Sequence, residues 1–345
     1  MGFSKRFAHQ QPLTMGKKGE EGIVIKIAKE MVIRFPDTPK LTLAKKLYKE
    51  NPKVFTSVEH ARGSINRIRG LGSHGRIADK SLFEEPKFNY NPFNLPESKS
   101  EPREIWKLPK SISKVLLLSD IHFPYHDEKA LTTALKYGQK EGVDAIFING
   151  DLIDFYQLSF HEKDPRVTSI ADELEMTRDF FDSLKKAFPK ALIYYIPGNH
   201  EHRLERYLRV KAPELLDIQE FRIDILLKLG EKGIHYLAHG TKCYFGKLLV
   251  EHGDKMKGSG GVNPARSLFA KLKRHAICGH FHRTSEATEK VYDGDVVVTY
   301  STGCLCELEP RYMEVNNHNH GFAIVDMNGD NFAVSNKKIV NGIVY

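Results

Sequence analysis

The chain has 345 residues, 41% of them hydrophobic, with 52 Lys+Arg against 44 Asp+Glu and a formal net charge of +8. No apolar run approaches the roughly 18 residues that a membrane span needs, the start MGFSKRFAHQ lacks the apolar stretch of a secretory signal, and Arg6 breaks the myristoylation pattern, so no membrane partner is expected. Four cysteines (Cys243, Cys278, Cys304, Cys306) are too few and too unevenly spaced for a disulfide framework, which points to a reducing cytoplasm.

The positive charge is local. Residues 1–80 carry 17 Lys+Arg and 7 Asp+Glu, whereas residues 81–345 carry 35 and 37. A polyanionic partner for the first 80 residues follows from this asymmetry; a solvated basic tail is the plain alternative. Residues 1–19 read as a frayed start. From Glu20 to Phe35, Ile23, Ile27 and Met31 recur at helical spacing, and Pro36 and Pro39 end the segment. LTLAKKLYKENP reads as a short helix from Thr42, stopped at Pro52. In TSVEHARGSINRIRG, Thr56 and Glu59 are spaced as a capping box, and Gly70 is placed to close the helix. Val58, Ala61, Ile65 and Ile68 form its apolar stripe, with Arg62, Asn66 and Arg69 on the opposite face. Residues 1–80 are therefore predicted to form a basic helical, helix-turn-helix-like domain. Arg62, Asn66, Arg67, Arg69 and Arg76 are its candidate nucleic-acid contacts. Small basic three-helix units also dock proteins, so that alternative stands beside the first.

Pro86, Pro92, Pro96, Pro102 and Pro109 predict an extended linker over 81–113, with Phe83, Phe88, Tyr90, Phe93 and Trp106 laid in part against a domain surface. From Lys114 the pattern changes. KVLLLSD, DAIFING and ALIYYIPGN read as buried strands, with helices near 127–141 and 172–187 between them, which implies parallel pairing. GIHYLAHG, KCYFGKLLVEHGD, VVVTYSTG and HGFAIVDMNGD add β-rich segments, predicting an α/β (α+β) architecture: a mixed sheet or sheet pair flanked by helices.

Each apolar run ends in residues able to bind metal. They are Asp120 and His122 in SDIHFP, Asp151 and Asp154 in NGDLID, Asn199 and His200 in PGNHEHR, His252 in VEHGD, and His280 and His282 in CGHFH. Loops at the carboxyl ends of parallel strands are where such folds hold ligands. In a regular strand His280 and His282 would share a face, which suits one ion, two neighbouring ions or none. Any one fragment would more often be a capped turn or a satisfied core histidine; five in order are hard to reach by chance.

This ordered set resembles the calcineurin-like metallophosphoesterase superfamily over residues 114–330. Asp120-Ile-His122, Gly150-Asp151-Leu-Ile-Asp154, Gly198-Asn199-His200-Glu201, His252 and Gly279-His280-Phe-His282 stand where its signature places them. GNHEHRLERYL and NHGFAIVDMNGD further resemble a branch common in bacteria and their phages. The resemblance implies a four-layer α/β/β/α sandwich over 114–345. It also implies two divalent ions, manganese first with iron or zinc as alternatives. One ion would take Asp120, His122, Asp151 and His282; the other would take Asp151, Asn199, His252 and His280, with Asp151 bridging. It implies hydrolysis by a metal-bridging hydroxide, with His200 as general acid and Asp154 orienting it. Together with the basic N-terminal segment, this favours a phosphodiesterase or nuclease with a nucleic-acid or nucleotide substrate. A phosphomonoesterase and an inert nucleic-acid-binding protein are the alternatives.

Arg203 either reaches a substrate phosphate or pairs with Glu201 or Glu205, and His161 and His202 are further candidates for the cleft. His318-Asn319-His320 is expected in a loop beside it, and Cys304 and Cys306 are expected to be buried structural residues.

Overall fold

The computed structural model describes residues 17–35, 38–69, 92–96, 98–100, 102–160, 164, 166–256, 262–310, 313 and 315–345. The chain divides into two compact units, Met1–Lys99 and Ser100–Tyr345. No described helix is long and apolar enough to cross a membrane.

In the first unit, α1 (Lys17–Arg34), α2 (Lys40–Glu50) and α3 (Val58–Ile68) close on Val32, Leu43, Leu47, Phe55, Ala61 and Ile65. The cap of α3 is Ser57, not the expected Thr56. Ser57 is extended, and its hydroxyl accepts the His60 N–H at 3.1 Å, while Glu59 pairs with Arg62 at 3.2 Å.

The second unit runs β1 (Ile105–Lys107), β2 (Lys114–Leu118), α4 (Glu128–Glu141), β3 (Ala145–Asn149), α5 (Ile170–Ala187), β4 (Leu192–Ile196) and α6 (His202–Lys211). It continues with α7 (Ile223–Leu226), β5 (His235–Tyr236), β6 (Lys242–Phe245), β7 (Leu248–Glu251), α8 (Pro264–Leu272) and β8 (Ala276–Cys278). It ends with β9 (Ser285–Lys290), β10 (Val296–Ser301), β11 (His320–Asn328), β12 (Asn331–Val340) and β13 (Ile343–Val344). One sheet has the order β13-β12-β11-β2-β3-β4-β5 and the other β1-β6-β7-β8-β10-β9. The neighbours β2, β3, β4 and β5 are parallel, as are β7, β8 and β10.

Alternation along the strands builds the layers. Val115, Leu117, Phe147 and Tyr194 face inward onto Phe245, Leu248 and Val250 of the other sheet. Leu116, Leu118, Ile146, Ile148 and Tyr195 face outward onto Ala134 of α4 and Phe181 and Leu184 of α5. On the far side Leu268 of α8 covers Leu249 and Ala276. Strands buried on both faces must read as continuous apolar runs, which is why the sequence marks them so clearly. The Pro-rich stretch is not all linker: Ile105–Lys107 pairs in parallel with β6, and the Trp106 ring packs tilted against Tyr194 with centroids 4.9 Å apart. A three-residue strand carries too little alternation to be read.

Candidate metal centre

Parallel pairing aligns the carboxyl ends of β2, β3 and β4 in one sheet and of β7 and β8 in the other, and the expected ligands leave from these ends. The chain then turns sharply. Asp120 (φ 56°), His122 (φ 55°), Asp151 (φ 51°), His280 (φ 66°) and His282 (φ 52°) all adopt left-handed backbone. Each such L-residue costs on the order of 1 kcal/mol, a strain tolerated where surrounding structure fixes it and function needs it. The turns are fixed by Ile121 and His122 N–H groups donating to Asp151 O at 2.9 and 3.0 Å. Gly150, at φ 83°, also lies where a Cβ would collide with the His252 ring. A Cβ on Gly198 would meet Asp151 in the same way.

His280 and His282 do not share a strand face, because β8 ends at Cys278 and both stand in the turn beyond it. Their rings diverge: His280 packs 5.2 Å from His252, and His282 packs 5.1 Å from His122. Two groups of donors result. His282 Nε2 lies 3.3 Å from His122 Nε2 and 3.4 Å from Asp120 Oδ1. His252 Nε2 lies 3.2 Å from Asn199 Oδ1, and its Nδ1 donates to Asn149 O at 2.8 Å. Asp151 stands between them, with Oδ2 3.1 Å from His252 Nε2 and 3.8 Å from His122 Nε2. Donor atoms of Asp151, His252 and His280 lie within 4.8 Å of one another, as do those of His122, Asp151 and His200 and those of His122, His282 and Cys306.

Burial pushes each of these carboxyls up, but the imidazoles outweigh it. His282 and His252 bring Asp120 to about 2, and His252, His200 and His122 hold Asp151 well below the carboxylate range. Conversely, burial pushes His252 down, yet Asp151 and Asp120 raise it to about 10. Buried carboxylates thus call for positive charge here. Two carboxylates, four imidazoles and an amide oxygen fit divalent cations of intermediate hardness.

His200 sits beside this set. Its Nδ1 lies 3.0 Å from Asp154 Oδ1, and its Nε2 faces an Arg203 Nη at 3.0 Å. Burial lowers the His200 pKa, and the nearby Asp151 and Asp154 carboxylates reverse this to a net rise. Arg203 pairs with neither Glu201 nor Glu205; it donates to Asp154 O at 2.8 Å, while Glu205 engages Arg209 and His202. His202 stacks on His239 with ring centroids 4.6 Å apart.

Two residues at the site had no functional role in the sequence. Glu201, 3% exposed, accepts backbone N–H groups from Asp151 (3.1 Å), Leu152 (2.6 Å), Ile153 (3.0 Å) and Gly198 (2.7 Å). It clasps the Asp151 loop to the Asn199 loop. Its only sequence signal was an acidic residue following the Asn-His pair. Cys306 Sγ lies 3.7 Å from His282 Nδ1, a placement that C-x-C spacing does not reveal. The His318 ring packs 4.7 Å from His282, as expected for a loop beside the cleft.

Of the candidate nucleic-acid contacts, Arg62 and Arg67 are exposed. Arg69 does not face outward with them: it is half-buried and donates to Thr38 O and Phe35 O at 3.1 and 3.3 Å, tying α3 to the chain between α1 and α2. Asn66 is also half-buried. Arg76 and His161 lie outside the described residues, as do Pro36 and Gly70.

The sequence pattern of the calcineurin-like phosphoesterases matches residues 113–299, more than half of the chain. The Gene 54 protein of Mycobacterium phage L5 is 24% identical over 247 residues, covering 66% of this chain and 94% of that protein. Among solved structures, zinc-complexed Vps29 of Entamoeba histolytica aligns at 14% identity and TM-score 0.35, over 67% of this chain and 96% of that one. A dimetal phosphatase from Danio rerio aligns at 13% and 0.33, over 65% and 96%. Yfce, a phosphoesterase from E. coli, aligns at 12% and 0.30, over 62% and 88%. With the match spanning 113–299 and its metal-competent residues gathered around Asp151, the chain belongs to the calcineurin-like phosphoesterase family and is a metal-dependent phosphoesterase.

Proposed function

We propose that the chain hydrolyses phosphodiester bonds in DNA, RNA or a nucleotide, using two divalent cations that share Asp151. The observation that carries the two-cation part is the Asp151 Oδ2 that faces both His252 and His122. Asp120, His122, Asp151 and His282 would hold one cation; Asp151, Asn199, His252 and His280 would hold the other. Manganese, iron and zinc all suit these donors. When bound, the pair supplies Lewis acidity toward the phosphoryl oxygens and a water acidic enough to attack phosphorus.

The chain's own groups complete the reaction. To act as the acid, His200, with Nδ1–H donated to Asp154, takes a proton on Nε2 in place of the Arg203 N–H it accepts in this structure, and gives that proton to the leaving oxygen. Asp154 fixes the ring, and Arg203 adds positive charge where the leaving oxygen gathers negative charge. Glu201 keeps the Asp151 and Asn199 loops in register. The diester and nucleic-acid parts rest on the basic N-terminal segment, whose three helices expose Lys45, Lys49, Arg62 and Arg67. Four free cysteines fit a cytoplasmic setting.

The test offers manganese-loaded protein a bis-aryl phosphodiester, an aryl phosphomonoester, and labelled single- and double-stranded DNA. Cleavage of the diester and of DNA is expected. Monoester preference makes the chain a phosphatase instead, and binding without turnover makes it a nucleic-acid-binding protein.

A further inference from the structure

We infer that Arg206, stacked on Phe160, binds a second phosphate of the substrate, one linkage beyond the scissile bond on its leaving side. This deepens the phosphodiesterase reading above and rests on it: the favoured substrate carries a flanking phosphate and is not an isolated diester.

α6 starts directly after the Asn199-His200-Glu201 turn, so its first residues stand beside the centre. Arg203 and Arg206, three apart, lie on one face of this helix, with Cβ atoms about 5–6 Å from each other. That separation is comparable with the step between neighbouring phosphates of a nucleic-acid strand. Arg203 marks the inner end of the face, with its Nη atoms 2.8 Å from Asp154 O and 3.0 Å from His200 Nε2. One turn farther along, the Arg206 guanidinium lies over the Phe160 ring, 3.5 Å from its centroid. The helix therefore meets the chain that follows Asp154 at two points, Arg203 at Asp154 and Arg206 at Phe160. This face leads away from the nitrogen that protonates the leaving oxygen, which places Arg206 on the leaving side.

The chain between the two points is anchored. Tyr156–Leu158 forms a single 3₁₀ turn with Leu158 buried. Tyr156 N–H donates to Glu173 Oε1 at 3.2 Å, and Gln157 Nε2 donates to Thr168 O at 3.0 Å. The Phe160 ring that follows this fixed turn is 73% exposed and carries the guanidinium instead of filling a core. Nearby arginines each meet a carboxylate: Arg203 meets Asp154, Arg209 meets Glu205, and Arg222 meets Asp224. Arg206 is half-buried and has no carboxylate partner among the described residues; burial and the Arg203 cation both disfavour its charge. A guanidinium resting on a ring face keeps its N–H edge for a forked pair of hydrogen bonds to phosphate oxygens.

The test supplies full-length, manganese-loaded protein with substrates that differ by the flanking phosphate, read at the bridging bond. A dinucleotide with one bridging phosphate is expected to show a kcat/KM about 10–100-fold below that of the same dinucleotide bearing an extra terminal phosphate at one of its two ends. Arg206→Gln is expected to erase this advantage, and Arg206→Lys to retain part of it. Each advantage is a ratio within one protein, so a smaller folded fraction in a variant cancels. Terminal phosphates that give no advantage at either end, or an advantage that survives Arg206→Gln, overturn the inference and leave the phosphodiesterase reading standing. Hydrolysis of the bis-aryl phosphodiester with neither dinucleotide cleaved also overturns it. Wild-type protein that cleaves no diester overturns both.

Discussion

Asp154 Oδ1 stands 3.0 Å from His200 Nδ1. The same oxygen lies 3.1 Å from His122 Nδ1, so one carboxylate orients both the expected acid and an expected metal ligand. The two roles separate by mutation. His200→Ala should lower kcat by about 10²–10⁴-fold with metal content unchanged. Asp154→Asn should lower kcat and also weaken metal binding by about 10–100-fold, because His122 loses its orienting partner. Steady-state kinetics beside metal titration distinguishes them, and a His200→Ala enzyme of wild-type rate removes His200 from the chemistry.

Glu201 holds two loops through four N–H groups. Glu201→Gln replaces part of the acceptor with a donor and should cost about 3 kcal/mol or more. Urea unfolding of the metal-free protein measures this. Metal stoichiometry should fall as well, since Asp151 and Asn199 are no longer held together. A variant with unchanged stability and two tightly bound ions would contradict the clasp.

Glu173 of α5 is fully buried, accepts the Tyr156 N–H at 3.2 Å through one oxygen, and leaves the other without a hydrogen-bond partner among the described residues. Burial, reinforced by Asp154, raises its pKa from 4.5 to about 7. A raised folded-state pKa gives a contribution fully present below pH 4.5 and lost as pH rises through about 7. Wild type should therefore lose up to about 3 kcal/mol relative to Glu173→Gln between pH 5 and 8.5. Parallel denaturant melts of the two proteins check this; parallel pH profiles would contradict it.

Arg62 and Arg67 are both exposed on α3. If α3 grips phosphates, Arg62→Ala and Arg67→Ala should each weaken DNA binding at low salt and reduce the slope of log K against log[salt] by about one. Arg69→Ala should instead lower the unit's stability, since its guanidinium ties α3 to the chain between α1 and α2. Salt-titrated anisotropy and thermal melts separate the two effects.

What the sequence made legible follows from physics. The central residues of the runs KVLLL, AIFIN and LIYYI had to be apolar because both faces of these strands are covered. β9, SEATEK, and β12, NFAVSNKKIV, gave no such signal: β9 has no fully buried residue, and β12 has only Ile339. The ligand types were visible at the strand ends, but their directions were not. His280 and His282 diverge in a turn where both adopt positive φ, which residue identity does not announce for histidine. Cys306 reaches His282 through pairing between segments distant in sequence, the kind of information that local spacing lacks.

The shared carboxylate of Asp151 is tested most directly by anomalous diffraction from crystals grown with manganese. Two peaks about 3.5–4 Å apart, one on each side of Asp151, are predicted. A single peak, or two peaks of which only one touches Asp151, would contradict the bridged pair.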